Sequence, residues 1–259
     1  MSSTRKTSLT TEINDETHIR GYSLNELIKN ASFTEAVFLL LTGKLPSTQQ
    51  KEVFTGVLVS AIDHGVLAPS TDVARRVAST GNSINTAVAA GVATIGDYHG
   101  GAIEQAGKLF HAFPEHSSTS SEKQAQELVA EGIKKYKRIP GFGHKIYTTD
   151  PRVTALFNLA KKHGLPDHYL KLAQAVEKEL EATKGRKLCI NIDGGMAAVL
   201  LALGLDWQMF RGVFIIARTP GLVAHAVEQQ AREKPVMRSK EEAEYDGPQK
   251  RPYPSKKKG

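Results

Sequence analysis

The stretch "SLNELIKNASFTEAVFLLLTG", from Ser23 to Gly43, carries the signals for two helix starts and one helix end. Ser23 is followed three residues later by Glu26, and Ser32 by Glu35, which is the spacing of a capping box at a helix N-terminus. The apolar run after Ser32 stops at Gly43, a residue type that commonly follows the last turn of a helix. The stretch therefore predicts two consecutive helices.

The same helical signals continue along the rest of the chain. Ser47, with Gln50 three residues on, predicts a further helix that reaches residue 62. Asp150 precedes a proline in the first helical position, and Gly164 follows the end of that helix. Additional helices are predicted over residues 71–80, 82–95, 100–112, 121–136, 151–163, 167–183, 194–203, 207–218 and 221–232.

Strand-like alternation is nearly absent from the sequence. The best candidate is "KLCINID" at residues 187–193, which is too short to seed a sheet. A polar stretch at 113–123, "FPEHSSTSSEK", predicts a loop and a hinge or domain boundary. The sequence as a whole predicts an all-α protein.

The chain has 259 residues, enough for one large domain or a main domain with a smaller one. Its formal charge is +7, but the last eleven residues, "QKRPYPSKKKG", hold five basic side chains and no acid. The rest of the chain is therefore only slightly basic, which argues against a nucleic-acid-binding protein and suits an anionic substrate. Residues 249–259 are predicted to form a disordered basic tail.

The single cysteine, Cys189, excludes an internal disulfide framework and cysteine-rich metal sites. It lies in the apolar run "LCINI", so we interpret it as a buried, unreactive thiol. The first twenty residues have no apolar core of the kind found in signal peptides, and no stretch has the apolar length of a membrane span. These features predict a cytoplasmic protein that does not bind membranes.

Four stretches place an ionisable side chain next to glycine near an expected helix end. They are "IDHG" with His64, "DYHGGA" with His99, "GFGH" with His144 and "INIDGG" with Asp193. Helix N-termini offer unpaired N–H groups and a positive dipole, which favour anionic ligands and change the pKa values of nearby groups. Most of the other histidines lie at polar boundaries, where solvent exposure explains them, and His225 fits a hydrogen-bonded histidine within a helix.

One carboxylate with two or three imidazoles suggests proton abstraction next to a carbonyl group. The carboxylate would act as the base, and the imidazoles would stabilise or protonate the developing oxyanions. Arg152, Arg218 and Arg238 could bind substrate carboxylates through their guanidinium groups, although an arginine at a helix end is more often a surface residue.

Metal, nucleotide and dinucleotide chemistry is not indicated. The histidines and acids lack the short spacing of a zinc site, such as H-x-x-x-H on one helix, so we expect no metal. Neither a G-x-x-x-x-G-K-[ST] phosphate loop nor a G-x-G-x-x-G motif after a strand is present, so direct use of ATP or of a dinucleotide is not expected.

Several stretches together resemble the citrate synthase superfamily. "GFGHKIYTTDPR" (141–152) is similar to the family's G-F-G-H…D-P-R motif, and "IIARTPGLVAHAVEQ" (215–229) to its A-R-T-x-G-x-x-A-H segment. "GYSLNELIKNASFTEAVFLLLTGKLP" (21–46) resembles the family's early segment. The matches occur in the family's order over residues 20–245.

The resemblance implies a role for each site residue. Asp193 would take a proton from the acetyl group of acetyl-CoA, or return it during cleavage, and His99 would hydrogen-bond the enolate oxygen. His144 would transfer the proton on the oxaloacetate carbonyl, and His64 would help to bind that substrate. The resemblance further implies that Arg152, Arg218 and Arg238 bind the substrate carboxylates. In the family, the arginine that corresponds to Arg238 usually comes from the other subunit.

The resemblance also implies the fold and the coenzyme A site. The fold would be a two-domain helical structure, with residues 1–95 and 206–248 in a large domain, residues 96–205 in a small domain on the CoA side, and the site in the cleft between them. The loop 138–144 would enclose coenzyme A, which is a substrate and not a tightly bound cofactor. The CoA-binding residues implied within this loop are Ile139, Gly141, Phe142 and Gly143.

Within the family, the motif variants are most similar to stand-alone citryl-CoA lyases and to the lyase module of ATP-citrate lyase. "TIGDYHGGAIEQAGKLF" (94–110) and "NIDGG" (191–195) carry this likeness. The module usually has an aromatic residue where His99 stands, and in that respect the chain is closer to the synthases. The resemblance implies a citryl-CoA lyase, with a small citrate or 2-methylcitrate synthase as the alternative, since one site catalyses both directions of the carbon–carbon step.

Two further expectations concern partners and other classes of protein. The resemblance implies a homo-oligomer, at least a dimer, and a separate enzyme that makes citryl-CoA, because this sequence shows no ATP-binding motif. A helical CoA-binding module without turnover is a third hypothesis, against which the presence of His99, His144 and Asp193 argues. The substrates implied are citryl-CoA, acetyl-CoA and oxaloacetate, with no nucleic acid.

Overall fold

A computed structural model describes residues 5–115, 119–136, 138–144, 147–238 and 244–253. Within these ranges the chain forms three short strands, eleven α-helices and one 3₁₀ turn. The strands are β1 (Thr10–Ile13), β2 (Glu16–Ile19) and β3 (Tyr22–Ser23). The first helices are α1 (Leu24–Asn30), α2 (Phe33–Thr42), α3 (Thr48–Ser60), α4 (Pro69–Ser79), α5 (Ile84–Ala93) and α6 (Ala102–His111). They are followed by α7 (Ser121–Lys135), α8 (Pro151–Lys162), α9 (His168–Lys184), α10 (Ile192–Ala202), the 3₁₀ turn Trp207–Met209 and α11 (Phe210–Arg232).

The helix starts expected from the sequence are largely confirmed. Ser32 forms a full capping box at α2, and Ser47 forms one at α3. Ser23 caps α1 by accepting from the backbone N–H of Glu26, but the reciprocal half is missing. The Glu26 carboxylate instead accepts from Lys29 Nζ at 3.0 Å. Ser23 is also the last residue of β3, so its backbone belongs to the sheet.

The predicted helical fold class is confirmed, but three short strands that were not expected from the sequence form in the N-terminal segment. The three strands form an antiparallel sheet in the order β1-β2-β3. Asn14 and Asp15, with φ of 52° and 60°, make the two-residue turn between β1 and β2. All four residues of β1 are exposed, so no apolar alternation marks this strand in the sequence. The candidate at 187–193 makes only one isolated bridge, between Ile190 and Phe142.

Helix α11 is longer than the sequence analysis predicted. Two helices were expected, over 207–218 and 221–232, because proline usually ends a helix. The chain instead forms one helix of 23 residues with Pro220 inside it. The apolar face continues across the proline through Ala217, Gly221 and Leu222, which are all buried. Packing of this face stabilises the helix enough to offset the hydrogen bond that the proline removes.

Helix α10 lies at the centre of the molecule, and every residue from Gly194 to Leu201 is buried. It packs against α3, α6, α8 and α9, as expected for a helix that is apolar on all sides. One buried apolar cluster extends from Val37 in α2 to Ala217 in α11. Because α10 is enclosed in this cluster, its first turn is held rigidly at the edge of the core.

Two further features concern the surface of the molecule. Within the residues that the structure describes, none of the helices is long and apolar enough to cross a membrane. Residues 249–253 of the predicted basic tail are exposed, and 254–259 lie outside the described residues. The division into two domains stays a prediction, as does the disorder of the tail.

Candidate active site

Helix α11 supplies a buried arginine to the site. The Arg218 side chain is only 4% exposed, and its Nε donates to the carbonyl oxygen of Ala61 at 2.8 Å. Its guanidinium carbon lies 5.0 Å from the centre of the Phe214 ring. One terminal nitrogen, Nη1, is buried without a hydrogen-bond partner among the described residues. A buried cationic donor without a partner is costly unless a ligand pairs with it, so Arg218 is suited to bind an anion.

His99 lies in the turn between α5 and α6. Gly96 and His99 exchange backbone hydrogen bonds of 2.9 and 3.0 Å, which closes the turn. The backbone N–H of Ser70, in the first turn of α4, donates to His99 Nε2 at 3.3 Å, and Ser70 Oγ lies 2.9 Å from the same nitrogen. Since a backbone N–H can only donate, Nε2 must accept, and the proton of the neutral ring lies on Nδ1.

Burial and positive charge keep His99 neutral. Burial lowers the pKa of His99, and the nearby charges of Arg218 and His64 lower it further. The pKa of His64, an exposed residue between α3 and α4, is also lowered, first by partial loss of hydration and then by Arg152, Arg218 and His144. A neutral imidazole can donate a hydrogen bond to an oxyanion without first losing a proton, as the predicted role of His99 requires.

Asn191 joins the loop 138–144 to the start of α10. Its backbone N–H donates to Gly141 O at 3.0 Å, and its side chain Nδ2 donates to Gly143 O at 3.1 Å. Its Oδ1 accepts from the backbone N–H of Asp193 at 3.1 Å and from that of Gly194 at 3.2 Å. One side chain therefore holds the loop that carries His144 and the helix turn that carries Asp193.

Two glycines allow this loop and α10 to approach closely. Gly141 has a φ of +85°, and a Cβ added to it would lie 2.7 Å from Gly194 Cα. A Cβ added to Gly194 would in turn collide with the Gly141 carbonyl oxygen. No larger residue fits at either position with this backbone. This contact brings the loop that carries His144 against the helix turn that carries Asp193. It is not apparent from the sequence.

The Arg152 side chain is held by a buried carboxylate. Asp150 is 1% exposed and accepts from Arg152 Nε at 3.0 Å and from its Nη2 at 2.7 Å. Burial raises the pKa of Asp150, but the hydrogen bonds and charge of Arg152 outweigh that effect and lower it overall. Asp150 also caps α8, by accepting from the backbone N–H of Arg152. The ion pair fixes the direction of the Arg152 guanidinium.

The Asp193 carboxylate has the most unusual electrostatic environment of these groups. Burial raises its pKa from 3.8 to about 6, and Asp150 adds to the shift, while Arg152 and Arg218 oppose it. A carboxyl group with a pKa near neutrality can both take and give a proton. The structure thus brings together six of the seven residues predicted to be catalytic or to bind the acid portion of the substrate: His64, His99, His144, Arg152, Asp193 and Arg218.

Arg238 is the exception. It is exposed in the segment after α11 and makes no hydrogen bond or ion pair to the other six residues within the described part of the chain. The residues just before it are attached to the end of α4, where Val236 N–H donates to Ser79 O at 2.8 Å. In a single copy of the chain, Arg238 therefore stays outside the cluster.

A cavity of about 420 Å³ adjoins the cluster at His144. Three of the four predicted CoA-binding residues line it, namely Ile139, Phe142 and Gly143, whereas Gly141 packs against Gly194. Arg138, from the predicted loop 138–144, also lines the cavity, whereas five further lining residues were not expected from the sequence: Ile133, Leu180, Lys184, Arg186 and Leu188. The cavity thus combines an apolar wall with three cationic side chains.

Two residues that support the site were not expected from the sequence. Ser70 and Asn191 contact site residues through hydrogen bonds, and neither type of residue stands out in a sequence.

His225 was interpreted as a hydrogen-bonded helix histidine, and its Nε2 does lie 3.0 Å from Asp63 Oδ1. Cys189 is buried as predicted, and burial raises its pKa, which favours an unreactive thiol.

Metal ligands are not grouped in the part of the chain that the structure describes. No three His, Cys, Asp or Glu side chains come together there in a way that could hold an ion. The chemistry that this arrangement can perform is proton transfer, by Asp193 and the imidazoles, next to cations that bind carboxylates.

Comparison with known proteins places these features in one family. A family model described as "Citrate synthase, C-terminal domain" matches residues 2–59 and 50–240. The chain is 34% identical to citrate/2-methylcitrate synthase of Bacillus subtilis (strain 168), over 80% of this chain and 55% of that protein. The chain spans between 53% and 61% of the length of three curated citrate synthases that it matches.

Solved structures give a second comparison. Citryl-CoA lyase from Hydrogenobacter thermophilus superposes with a TM-score of 0.88 at 40% identity, covering 96% of this chain and 97% of that one. ATP citrate lyase from Methanothrix soehngenii, in complex with citrate and coenzyme A, superposes with a TM-score of 0.84 at 25% identity. That match covers 96% of this chain and 42% of the larger protein.

Proposed function

Because the chain belongs to the citrate synthase family, we propose that it is a citryl-CoA lyase, which cleaves citryl-CoA reversibly to acetyl-CoA and oxaloacetate. The observation that carries this choice is the near-complete mutual coverage with a citryl-CoA lyase, 96% of this chain and 97% of that one. The convergence of Asp193, His99 and His144 supports turnover over a role as a silent CoA-binding module.

In the cleavage direction, His144 accepts the proton of the substrate hydroxyl group as the C–O bond becomes the carbonyl of oxaloacetate. The carbon–carbon bond breaks, and its electron pair forms the enolate of the acetyl thioester. His99 donates its Nδ1–H to the enolate oxygen. Protonated Asp193 then gives its proton to the enolate carbon, which completes acetyl-CoA. Condensation follows the same steps in reverse.

The acid portion of citryl-CoA carries carboxylate groups. In this proposal Arg152 and Arg218 bind them, and Arg218 Nη1 is the buried donor that a carboxylate oxygen would satisfy. His64 donates to the same portion of the substrate. Arg238 would complete the set from a second copy, in a homodimer or larger assembly, since it is remote from the cluster within one chain.

Coenzyme A enters as part of the substrate, and we assign it to the cavity next to His144. The apolar wall, with Ile139, Phe142 and Leu188, would contact the pantetheine chain. Arg138, Lys184 and Arg186 line the same cavity and would pair with the phosphates. The Arg186→Ala variant should therefore weaken binding of free CoA, measured by calorimetry, and Arg211→Ala, which alters a cation outside this cavity, should not.

Other parts of the proposal concern the organisation of the protein. The cluster combines His64 and Arg218, from the predicted large domain, with four residues from the predicted small domain, as expected for a cleft between domains. We retain the prediction that a separate enzyme makes citryl-CoA. A cytoplasmic location also stays a prediction.

A paired assay tests the proposal. One reaction contains citryl-CoA, the other contains acetyl-CoA with oxaloacetate, and thioester and free thiol are followed separately. A lyase forms acetyl-CoA and oxaloacetate in the first reaction and releases little free CoA in either. Absence of cleavage in the first reaction would contradict the proposal.

A citrate or 2-methylcitrate synthase is the second candidate. The observation that favours it is the match to curated citrate synthases, including citrate/2-methylcitrate synthase at 34% identity. Condensation followed by thioester hydrolysis would release free CoA and citrate steadily in the second reaction. Replacing acetyl-CoA by propionyl-CoA in that reaction separates the citrate from the methylcitrate activity.

A further inference from the structure

Helix α11 contacts the segment that carries His64 at three successive positions on one face. Arg218 Nε donates to Ala61 O at 2.8 Å. One turn on, Gly221 packs against the segment so closely that an added Cβ would collide with the Ile62 carbonyl oxygen. One turn further, His225 Nε2 lies 3.0 Å from Asp63 Oδ1. This spacing places all three residues on the same side of the helix.

Asp63 connects this helix face to the loop itself. While Oδ1 faces His225, Oδ2 accepts from the backbone N–H of Gly65 at 3.1 Å. Burial raises the pKa of Asp63, but hydrogen bonds from the backbone N–H groups of Gly65 and His64, together with His225, outweigh it and lower the pKa. The ionised carboxylate therefore holds the backbone on both sides of His64.

The other side of the His225 ring is buried, and Nδ1 has no hydrogen-bond partner among the described residues. Its side chain is 14% exposed, and Nδ1 lies 3.9 Å from Glu228 Oε2. Glu228 also pairs with Arg75 at 3.3 Å and with Arg232 at 2.9 Å. The ring is therefore held by its burial and by the contact with Asp63, next to the Glu228 carboxylate that Arg75 anchors to α4.

We propose that His225 and Asp63 form a positioning pair, which holds His64 in the orientation that binds the substrate. This inference rests on the proposed function, because it assumes that His64 contacts the acid portion of citryl-CoA. His225 acts through Asp63 and the loop, and not by contact with the substrate. Loss of the pair moves the His64 side chain and weakens substrate binding more than it slows the chemical steps.

The test uses three substitutions in the full-length protein. His225→Leu removes the donor to Asp63, whereas His225→Gln retains a side-chain N–H at a similar distance from the backbone. His111→Leu, at the exposed end of α6, is the control for loss of a histidine. We expect His225→Leu to raise the KM for citryl-CoA about tenfold with a smaller change in kcat, since small displacements of binding groups are costly. His225→Gln and the control should stay within about threefold of the parent, as positioning by a hydrogen bond predicts.

The double variant His64→Ala/His225→Leu separates the inference from the proposed function. If His225 acts through His64, the double variant is no worse than His64→Ala alone. An additive loss would overturn the positioning role, as would an unchanged KM in His225→Leu. A His64→Ala variant with unchanged kinetics would instead refute the proposed role of His64. Should circular dichroism show that His225→Leu is unfolded, Asp63→Ala, which removes both oxygens that face Gly65 and His225, takes its place with the same expected rise in KM.

Discussion

The backbone N–H of Ser70 donates to Nε2 of His99 over 3.3 Å, and this single contact sets the tautomer of the imidazole. The donor belongs to the first turn of α4, where backbone N–H groups have no partner within the helix. The contact leaves Nδ1–H as the group that can donate to a substrate oxygen. Because the donor is a backbone group, its effect does not depend on the identity of residue 70.

The first prediction follows because the hydrogen bond to His99 comes from the backbone of residue 70 and not from its side chain. His99→Gln should lower kcat for citryl-CoA cleavage by about 10²- to 10³-fold, since the hydrogen bond to the enolate is displaced. Ser70→Ala removes only the hydroxyl group and keeps the backbone N–H, so it should lower kcat by less than about tenfold. Steady-state kinetics of both variants tests this order. A Ser70→Ala variant as impaired as His99→Gln would mean that the hydroxyl group, and not the backbone, controls the imidazole.

The second prediction concerns proton transfer by Asp193. Asp193→Asn should lower cleavage activity by about 10²- to 10⁴-fold, the usual contribution of a general acid or base. Binding of CoA should be unchanged, because the cavity lined by Arg138, Lys184 and Arg186 is untouched. Calorimetric titration with CoA and kinetics with citryl-CoA measure the two effects separately. Undiminished turnover would remove Asp193 from the mechanism.

The third prediction concerns the stability of the same variant. The folded protein raises the pKa of Asp193 to about 6, so it holds this proton more tightly than the unfolded chain does. The ionised carboxylate therefore destabilises the fold above pH 6, and this cost disappears as the pH falls below about 4. Asp193→Asn should raise the free energy of unfolding by up to about 3 kcal/mol at pH 7.5, and by less at pH 5. Urea unfolding at the two pH values measures the difference, and an equal gain at both would contradict the assigned pKa.

The fourth prediction concerns the close approach of the loop to α10. Gly141→Ala should lower the free energy of unfolding by about 2 kcal/mol or more and reduce activity, because the new Cβ meets Gly194 Cα. Gly164→Ala is the matched control, since Gly164 also has a positive φ, +67°, but an added Cβ meets nothing within 4 Å. Thermal unfolding and kinetics of both variants distinguish the collision from backbone strain alone. Equal losses in the two variants would show that the contact is not critical.

The fifth prediction concerns Arg238, the predicted carboxylate-binding residue that lies outside the cluster. Arg238→Ala should raise the KM for oxaloacetate in the condensation direction by about tenfold or more, as for the loss of a charged hydrogen bond, with little effect on CoA affinity. Lys234→Ala, which removes an exposed cation from the same segment, is the control. A selective loss of CoA affinity in Arg238→Ala would contradict its assignment to the carboxylates.

Much of the fold was predictable because its signals are local. Ser32, Ser47 and Asp150 begin helices through contacts with residues two or three positions away, and such contacts are visible in the order of the amino acids. The strands β1 to β3 were missed because the exposed β1 has no apolar alternation, so that only its turn residues mark it. Helix α11 was divided at Pro220 because the packing that holds it together comes from distant parts of the chain.

The sequence by itself determined the helical class of the protein, the family motifs and the identity of the ionisable groups, because these depend on residue type and short spacing. Only the tertiary structure decided which of those groups act together. The pKa of Asp193 depends on burial and on two arginines, one of them 25 positions along the chain, and the tautomer of His99 depends on a helix that begins 30 positions earlier. Arg238 shows the same rule from the opposite side, since a role implied by family resemblance does not bring its side chain to the cluster within one chain. Charge and burial act through space, and the distances that govern them exist only once the helices have packed.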